Sequence, residues 1–217
     1  MTESLGTALP RKARAAWLTG FFLLASVAGA QAQSAVSEAD IVKALAPPTM
    51  GQTRSLSTSV RGDGGVSEDR SFLDSLRNRA SLTSSERTKL AAASADKPSI
   101  DLEIPFDYNS AKIGAKALPM VKSLGAALAR PELKGNTFLI VGHTDGKGGD
   151  QANQTLSERR AEAVKEYIVQ NYGVPAANLV SVGYGKTQLK DSANPTAPAN
   201  RRVTTINMSG VKSASRY

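Results

Sequence analysis

The sequence of 217 residues contains no cysteine. This absence excludes disulfide bonds, thiolate metal ligands and cysteine nucleophiles. It also excludes the acylated cysteine by which a lipoprotein is attached to a membrane. The chemistry of any functional site must therefore come from other side chains.

Histidine and aromatic residues are scarce as well. His143 is the only histidine, and one histidine without cysteine is a poor basis for a metal site. Thr144 and Asp145, which follow it, do not complete a recognisable catalytic triad. Phe, Trp and Tyr make up only 5% of the chain, too few to suggest a platform on which nucleic acid bases stack. We therefore expect no metal, no cofactor and no nucleic acid partner.

Basic residues are in excess, with 27 Lys and Arg against 19 Asp and Glu, so the formal net charge is +8. In an exported protein this excess favours attraction to anionic polymers of the cell envelope. Export is indicated by Arg11, Lys12 and Arg14, which precede an apolar run over residues 15–30 and small residues suited to cleavage. We predict a signal peptide over residues 1–32. The alternative is an uncleaved membrane anchor, although a usual span needs about 20 apolar residues.

The region over residues 33–97 is rich in Ser, Thr, Ala, Gly and charged residues and poor in large apolar ones. Residues 37–45 predict a short helix that ends before Pro47, and loosely spaced apolar residues over 67–93 predict one or two more. We interpret residues 33–97 as a linker of low order with local helices. Docking of a protein partner is a second interpretation of this segment.

Residues 98–210 show the regular hydrophobic patterns of a folded domain, followed by a tail over 211–217. The order of elements is β-α-β-α-β-β, which predicts an α+β domain with a mixed sheet and two helices on one of its faces. The run TFLIVG, over residues 137–142, is typical of a strand that is covered on both faces. The predicted strands cover residues 100–106, 137–142, 179–184 and 202–208, and the predicted helices cover 113–129 and 153–172.

An arginine lies in the middle of an apolar helix stripe. In LSERRAEAVKEYI, Arg160 follows Leu156 by four residues and precedes Val164 by four, so all three share one helix face. A guanidinium keeps its charge when buried and needs a carboxylate or an anionic ligand. Asp145, in the glycine-rich turn GHTDGKGG, is the candidate partner. The two charges predict either a cleft for a zwitterion or a structural ion pair.

Further candidates surround this pair in the sequence. Asn153 is placed to support the start of the long helix. Asp107 closes the first predicted strand in PFDYNSAKI, where it either reaches the cleft or opens a turn. Arg201 and Arg202 begin the last strand, and because neighbouring strand residues face opposite sides, only one of them is expected at the cleft.

The motifs together resemble the OmpA-like C-terminal domain family. They are IPFDYNSAKI, VGHTDGKGG, NQTLSERRAEAV, LVSVGYG and NRRV, in this order, over residues 100–209. The resemblance implies non-covalent binding of peptidoglycan in the periplasm of Gram-negative bacteria. It also implies that an Asp and an Arg hold the diaminopimelate residue of the stem peptide. The proline-rich loop before NRRV departs from the family pattern. Carried onto this sequence, the Asp and Arg are Asp145 and Arg160, the residues between them match Asn153 and Leu156, and the NRR element matches Asn200, Arg201 and Arg202. We expect the binding site to consist of Asp145, Arg160, Asn153, Leu156, Thr144, Asp107, Arg201 and Arg202.

The sequence therefore predicts a protein without catalytic residues that binds peptidoglycan and tethers or stabilises the cell envelope. The diaminopimelate-containing stem peptide is the expected partner. The expected location is the periplasm, with association to the outer membrane left open. One alternative is a wall-active hydrolase that uses His143 with Asp145. The other is an envelope scaffold that docks a protein partner through residues 33–97.

Overall fold

A four-stranded mixed sheet forms the centre of the protein in a computed structural model, which describes residues 36–47, 71–77, 79 and 81–209. The strands lie in the order β1-β4-β2-β3. β2 and β3 run parallel, whereas β4 is antiparallel to both β1 and β2. The α+β class and the mixed sheet are confirmed. The strands are β1 (Ser99–Leu102), β2 (Phe138–His143), β3 (Leu179–Gly185) and β4 (Val203–Asn207).

Within the described ranges, four helices and two short 3₁₀ turns accompany the sheet, and residues 71–76 are helical as well. Ser37 and Thr83 begin the first two helices with reciprocal capping boxes, which satisfy backbone amides at the helix start. The helices are α1 (Glu38–Leu45), α2 (Ser84–Ser94), α3 (Leu118–Leu128) and α4 (Asp150–Tyr172), and the 3₁₀ turns are Ala176–Asn178 and Pro198–Asn200.

Two elements are shorter in the structure than the sequence predicts. α3 begins at Leu118 rather than residue 113, because Pro119 occupies its first turn, where the missing N–H costs nothing. β1 ends at Leu102 rather than residue 106. α4 ends at Tyr172 as predicted, since Gly173 takes a φ of 65° that closes the helix.

One face of the sheet packs against α1, α3 and α4. Phe138 and Ile140 point to this side from β2, and Val164 and Ile168 meet them from α4. α1 contributes fully buried side chains, so it belongs to the same core. The buried apolar residues of this core include Ile41, Leu45, Leu102, Val121, Leu124, Phe138, Ile140, Val164, Ile168, Leu179 and Val203.

The opposite face of the sheet is covered by residues of the predicted linker. Leu139 and Val141, the alternate residues of β2, point to this side, and every residue of β2 is buried, as expected for a strand covered on both faces. The covering side chains are Leu73, Leu76, Leu82 and Leu90. The structure thus differs from the prediction that residues 33–97 precede the domain as a linker: α1, residues 71–76 and α2 pack against its sheet.

α4 lies unusually close to the sheet at its N-terminal half. A side chain on Gly142 would overlap the backbone carbonyl of Ser157, and one on Gly183 would overlap the Ser157 hydroxyl and the Glu158 backbone. Ser157 uses the space to donate to Gln154 O at 2.8 Å and to accept from the Gly185 amide at 2.8 Å. Glycines on two strands therefore set the height of the helix that carries Arg160.

The predicted signal peptide, residues 48–70 and the tail over residues 211–217 lie outside the described residues. Within the described part of the chain, no helix is both long and apolar enough to span a membrane.

Candidate functional site

A turn after β1 supplies backbone acceptors for Arg160. Ser110 N–H donates to Asp107 O at 3.1 Å and closes the turn, in which Asn109 takes a φ of 50°. Arg160 Nε donates to Ser110 O at 3.0 Å, and Arg160 Nη2 donates to Asp107 O at 3.3 Å. Carbonyl oxygens hold one side of the guanidinium without neutralising its charge.

The Arg160 side chain is buried, with only 5% of the residue exposed. Its guanidinium carbon lies 4.9 Å from the centre of the Phe106 ring, a favourable cation–π contact. Burial lowers the pKa of Arg160 from its ordinary value, the charge of Asp145 opposes this shift, and the charge of Arg201 adds to it. A guanidinium stays protonated under such shifts. No carboxylate of the described residues forms an ion pair with Arg160.

Asp145 is bound by a different arginine. Arg201 Nη1 donates to Asp145 Oδ2 at 2.9 Å, and the backbone amide of Lys147 donates to Oδ1 at 3.2 Å. The Asp145 side chain is 19% exposed and that of Arg201 is 43% exposed. The predicted alternative, a structural ion pair between Asp145 and Arg160, is therefore not formed in the structure.

Hydrogen bonds to backbone carbonyl oxygens hold the glycine-rich turn in place. Asn153 Nδ2 donates to Lys147 O at 2.8 Å from the first turns of α4. The Thr144 amide donates to Gly185 O at 2.9 Å, and the Gly146 amide donates to Pro195 O at 2.7 Å. Asn153 thus supports the turn rather than the helix start that the sequence predicted, because α4 already begins at Asp150 and its N-cap Gly149 has no side-chain hydrogen bond.

The loop before β4 is organised by a buried asparagine. Asn200 is fully buried, and its Nδ2 lies 3.0–3.1 Å from the carbonyl oxygens of Asp191, Asn194 and Pro195. Its Oδ1 accepts from the Asp191 amide at 2.9 Å. Since Pro195 in turn binds the glycine-rich turn, Asn200 connects the proline-rich loop to the site.

These elements enclose an open cavity with a volume of about 640 Å³, which we call the Arg160 cavity. Seven of the eight predicted site residues line it: Asp107, Thr144, Asp145, Asn153, Leu156, Arg160 and Arg201. The cavity lining also includes residues that were not among the predicted site residues: Phe106, Tyr108, Asn109, Lys147, Gly148, Ala152 and Thr196. Phe106, Tyr108 and Asn109 belong to the motif IPFDYNSAKI and could have been found there, whereas Thr196 reaches the cavity only through the fold.

The eighth predicted residue, Arg202, does not line the cavity. Its Nε pairs with Asp101 Oδ1 at 3.3 Å, and its Nη2 donates to Gln188 O at 3.2 Å. Arg201 and Arg202 precede β4 and point to different sides: Arg201 lines the cavity and Arg202 pairs with Asp101. Arg201 is therefore the arginine of this pair that faces the cavity, and the inclusion of Arg202 is corrected.

His143 is also absent from the cavity. It is 3% exposed and stacks on Tyr184, with ring centres 5.9 Å apart. Burial lowers its pKa to about 3, the charge of Arg202 acts in the same direction, and Asp101 opposes both. Its Nδ1 has no hydrogen-bond partner among the described residues. A catalytic pair of His143 with Asp145 is not formed, and His143 packs at the strand end.

Fold and site define a mixed α+β domain in which a buried arginine, with no carboxylate partner among the described residues, shares an open cavity with an aspartate. Residues 105–203 match the model of the OmpA family, so the chain carries an OmpA family domain.

Two curated relatives cover the same part of the chain. Outer membrane porin F of Pseudomonas aeruginosa is 36% identical over 106 residues, which are 48% of this chain and 30% of the porin. Outer membrane protein A of Serratia marcescens is 31% identical over 84 residues, 39% of this chain and 23% of the relative. The chain thus spans less than a third of the length of either relative.

Solved structures show similarity over about half of the chain. The OmpA-like domain of FopA1 from Francisella tularensis is 25% identical with a TM-score of 0.43, and the similarity covers 50% of this chain and 71% of that one. The peptidoglycan-associated lipoprotein from Burkholderia pseudomallei is 26% identical with a TM-score of 0.41, covering 52% and 91% of the two chains.

Proposed function

We propose that this protein binds peptidoglycan without catalysis, through the diaminopimelate of a stem peptide, and thereby tethers or stabilises the cell envelope. The single observation that carries the proposal is the state of Arg160: its guanidinium is buried at a cavity and has no carboxylate partner among the described residues. A buried charge without a partner is costly, and an anionic ligand removes that cost.

The ligand chemistry follows from the two charges of the cavity. Diaminopimelate exposes an amino acid end with one carboxylate and one ammonium group. Arg160 can bind the carboxylate through its free N–H groups, and Asp145 can accept from the ammonium. Lysine at the same position of a stem peptide lacks the carboxylate and would leave Arg160 unpaired. The site therefore discriminates against lysine-type peptidoglycan.

The match of residues 105–203 to the OmpA family supports the envelope as the place of action. The relatives named above are outer membrane proteins by name. We place this protein in the periplasm, where it reaches the wall. Fractionation of the cell envelope tests whether the protein is associated with the outer membrane. The excess of basic residues favours attraction to anionic envelope polymers over longer distances.

Co-sedimentation with purified sacculi tests the proposal. Arg160→Ala should abolish retention, because it removes the carboxylate-binding group, while circular dichroism still reports a folded domain. Arg159→Ala is the matched control: the adjacent arginine is exposed, does not line the Arg160 cavity and should leave retention unchanged. Full retention of a folded Arg160→Ala variant contradicts the proposal.

The same incubation separates the two alternatives. A wall-active hydrolase would release soluble muropeptides, and the burial of His143 argues against it. If the protein acts only as a scaffold through residues 33–97, the wild-type protein should be retained on sacculi no better than the Arg160→Ala variant. Deletion of residues 33–97 is a poor test, because α1 belongs to the core on one face of the sheet and residues 71–76 and α2 belong to the core on the other.

A further inference from the structure

The Arg160 cavity holds more positive than negative charge. Its lining includes the cations Lys147, Arg160 and Arg201 against the anions Asp107 and Asp145. An amino acid end carries one charge of each sign and is neutral overall. Such a group alone would leave the excess positive charge of the cavity without a counter-charge.

Both arginines keep unused donors. Arg160 binds the carbonyl oxygens of the 107–110 turn through Nε and Nη2, so its Nη1 donates to no described residue. Arg201 binds Asp145 and the Thr196 carbonyl through Nη1, at 2.9 and 3.5 Å, and its Nε and Nη2 have no hydrogen-bond partner in the described part of the chain. Each guanidinium therefore offers N–H groups to a ligand, and this holds while the ion pair of Arg201 with Asp145 stays intact.

Asp145 interacts with both arginines, in different ways. It is bonded directly to Arg201, and its charge also acts on Arg160. A carboxylate has about four acceptor positions on its two oxygens, and among the residues that the structure describes two donors, Lys147 N and Arg201 Nη1, occupy them. An ammonium group can therefore be accepted by Asp145 without displacing Arg201.

We propose that the cavity recognises two carboxylates on either side of one ammonium group, with Arg160 binding the first carboxylate, Asp145 the ammonium and Arg201 the second carboxylate. This inference rests on the proposed function, which assigns only the first two contacts. It makes Arg201 a specificity-determining residue: a ligand with one negative charge in excess balances the positive excess of the cavity.

A stem peptide can supply the second carboxylate from two sources. One is the other carboxylate of diaminopimelate, which is free when the stem ends at that residue and is converted to an amide when the stem continues. The other is the α-carboxylate of the neighbouring γ-linked glutamate. Both present the same chemistry to Arg201, and amidation of each in turn distinguishes them.

Isothermal titration calorimetry with three purified muropeptides tests the inference. The first is a tripeptide that ends at diaminopimelate with all carboxylates free, and the other two carry an amide at one of the two candidate carboxylates. We expect one amide to weaken binding to the wild-type protein about tenfold or more, as for the loss of a charged hydrogen bond. The same amide should not weaken binding to the Arg201→Gln variant, because this variant lacks the guanidinium that binds the carboxylate.

Arg201→Lys and Arg159→Gln complete the experiment. The Arg201→Lys variant keeps the positive charge but lacks the planar guanidinium. It should therefore retain only part of the preference for the free carboxylate over the amide. Arg159→Gln removes a charge away from the cavity and should behave as wild type. Equal binding of all three muropeptides by the wild type, or unchanged discrimination by a folded Arg201→Gln variant, overturns the inference. Neither result touches the proposed function, which in this experiment fails if the free tripeptide itself does not bind.

Discussion

Arg201 donates from Nη1 to Asp145 Oδ2 across 2.9 Å, between two segments that are 56 residues apart in the chain. The bond orients the carboxylate at the cavity and leaves Arg160 without an acidic partner among the described residues. The arrangement separates two tasks: Arg201 positions Asp145, and Arg160 stays available to an anionic ligand. Substitution of Asp145 should therefore affect binding more than folding.

Asp145→Asn should lower retention on sacculi strongly, because a neutral amide is a weaker acceptor for an ammonium group. The free energy of unfolding should change by about 1 kcal/mol or less, as for a partly exposed ion pair. Asp150→Asn is the matched control: Asp150 is paired with Lys186 at 2.7 Å and lies outside the cavity lining. Retention assays and urea melts of both variants check the prediction, and a normal level of retention for Asp145→Asn would contradict it.

Acid should destabilise the protein through His143. Its folded pKa of about 3 lies below the unfolded value of 6.5, so below pH 6.5 the unfolded chain binds a proton that the folded protein does not. Stability is therefore lost as the pH falls, by roughly 2–3 kcal/mol between pH 6.5 and 4.5. Phenylalanine preserves a ring against Tyr184 and does not titrate. In urea melts, the free energy of unfolding of His143→Phe should depend less on pH than that of the wild type. An identical pH dependence of the two proteins would show that His143 does not cause the loss of stability in acid.

The close approach of α4 to the sheet predicts an intolerance of side chains at Gly142. Gly142→Ala would force the new methyl group into the backbone carbonyl of Ser157, which cannot move without shifting the helix. We expect a loss of about 1–3 kcal/mol or more in the free energy of unfolding. At Gly114 a methyl group would meet only ordinary contacts, so Gly114→Ala is the control. Equal denaturation midpoints for the two variants would show that the helix can rise freely.

α1 should be required for full stability of the domain. Leu45 is fully buried, and its carbonyl oxygen accepts from the buried Asn207 Nδ2 at 2.8 Å. Leu45→Ala should cost about 2–5 kcal/mol. Lys43→Ala changes an exposed residue of the same helix and should cost a few tenths of a kcal/mol. A chain that starts at residue 98 should unfold at a lower urea concentration than one that starts at residue 36; equal midpoints would mean that α1 adds nothing to the core.

Hydrophobic periodicity was sufficient to predict the order of strands and helices in residues 98–210. Local rules also located the end of α4, because Gly173 is suited to a left-handed φ. The same rules missed the role of residues 33–97. α1 has only eight residues, and Leu90 is the one large apolar side chain of α2, so neither segment shows a strong pattern. The continuous apolar run of β2 was the available signal, since a strand with two apolar faces needs a cover on each.

The sequence by itself determined the chemical inventory of the site: an arginine in an apolar helix stripe, an aspartate in a glycine-rich turn and a pair of arginines at the last strand. Only the tertiary structure decided how these charges are paired. Arg160 is held by carbonyl oxygens of a turn 50 residues earlier, and Asp145 is held by Arg201. The physical reason is that ion pairing depends on distances of a few ångströms between segments far apart in the chain, whereas periodicity and turn preferences report only on neighbours along it.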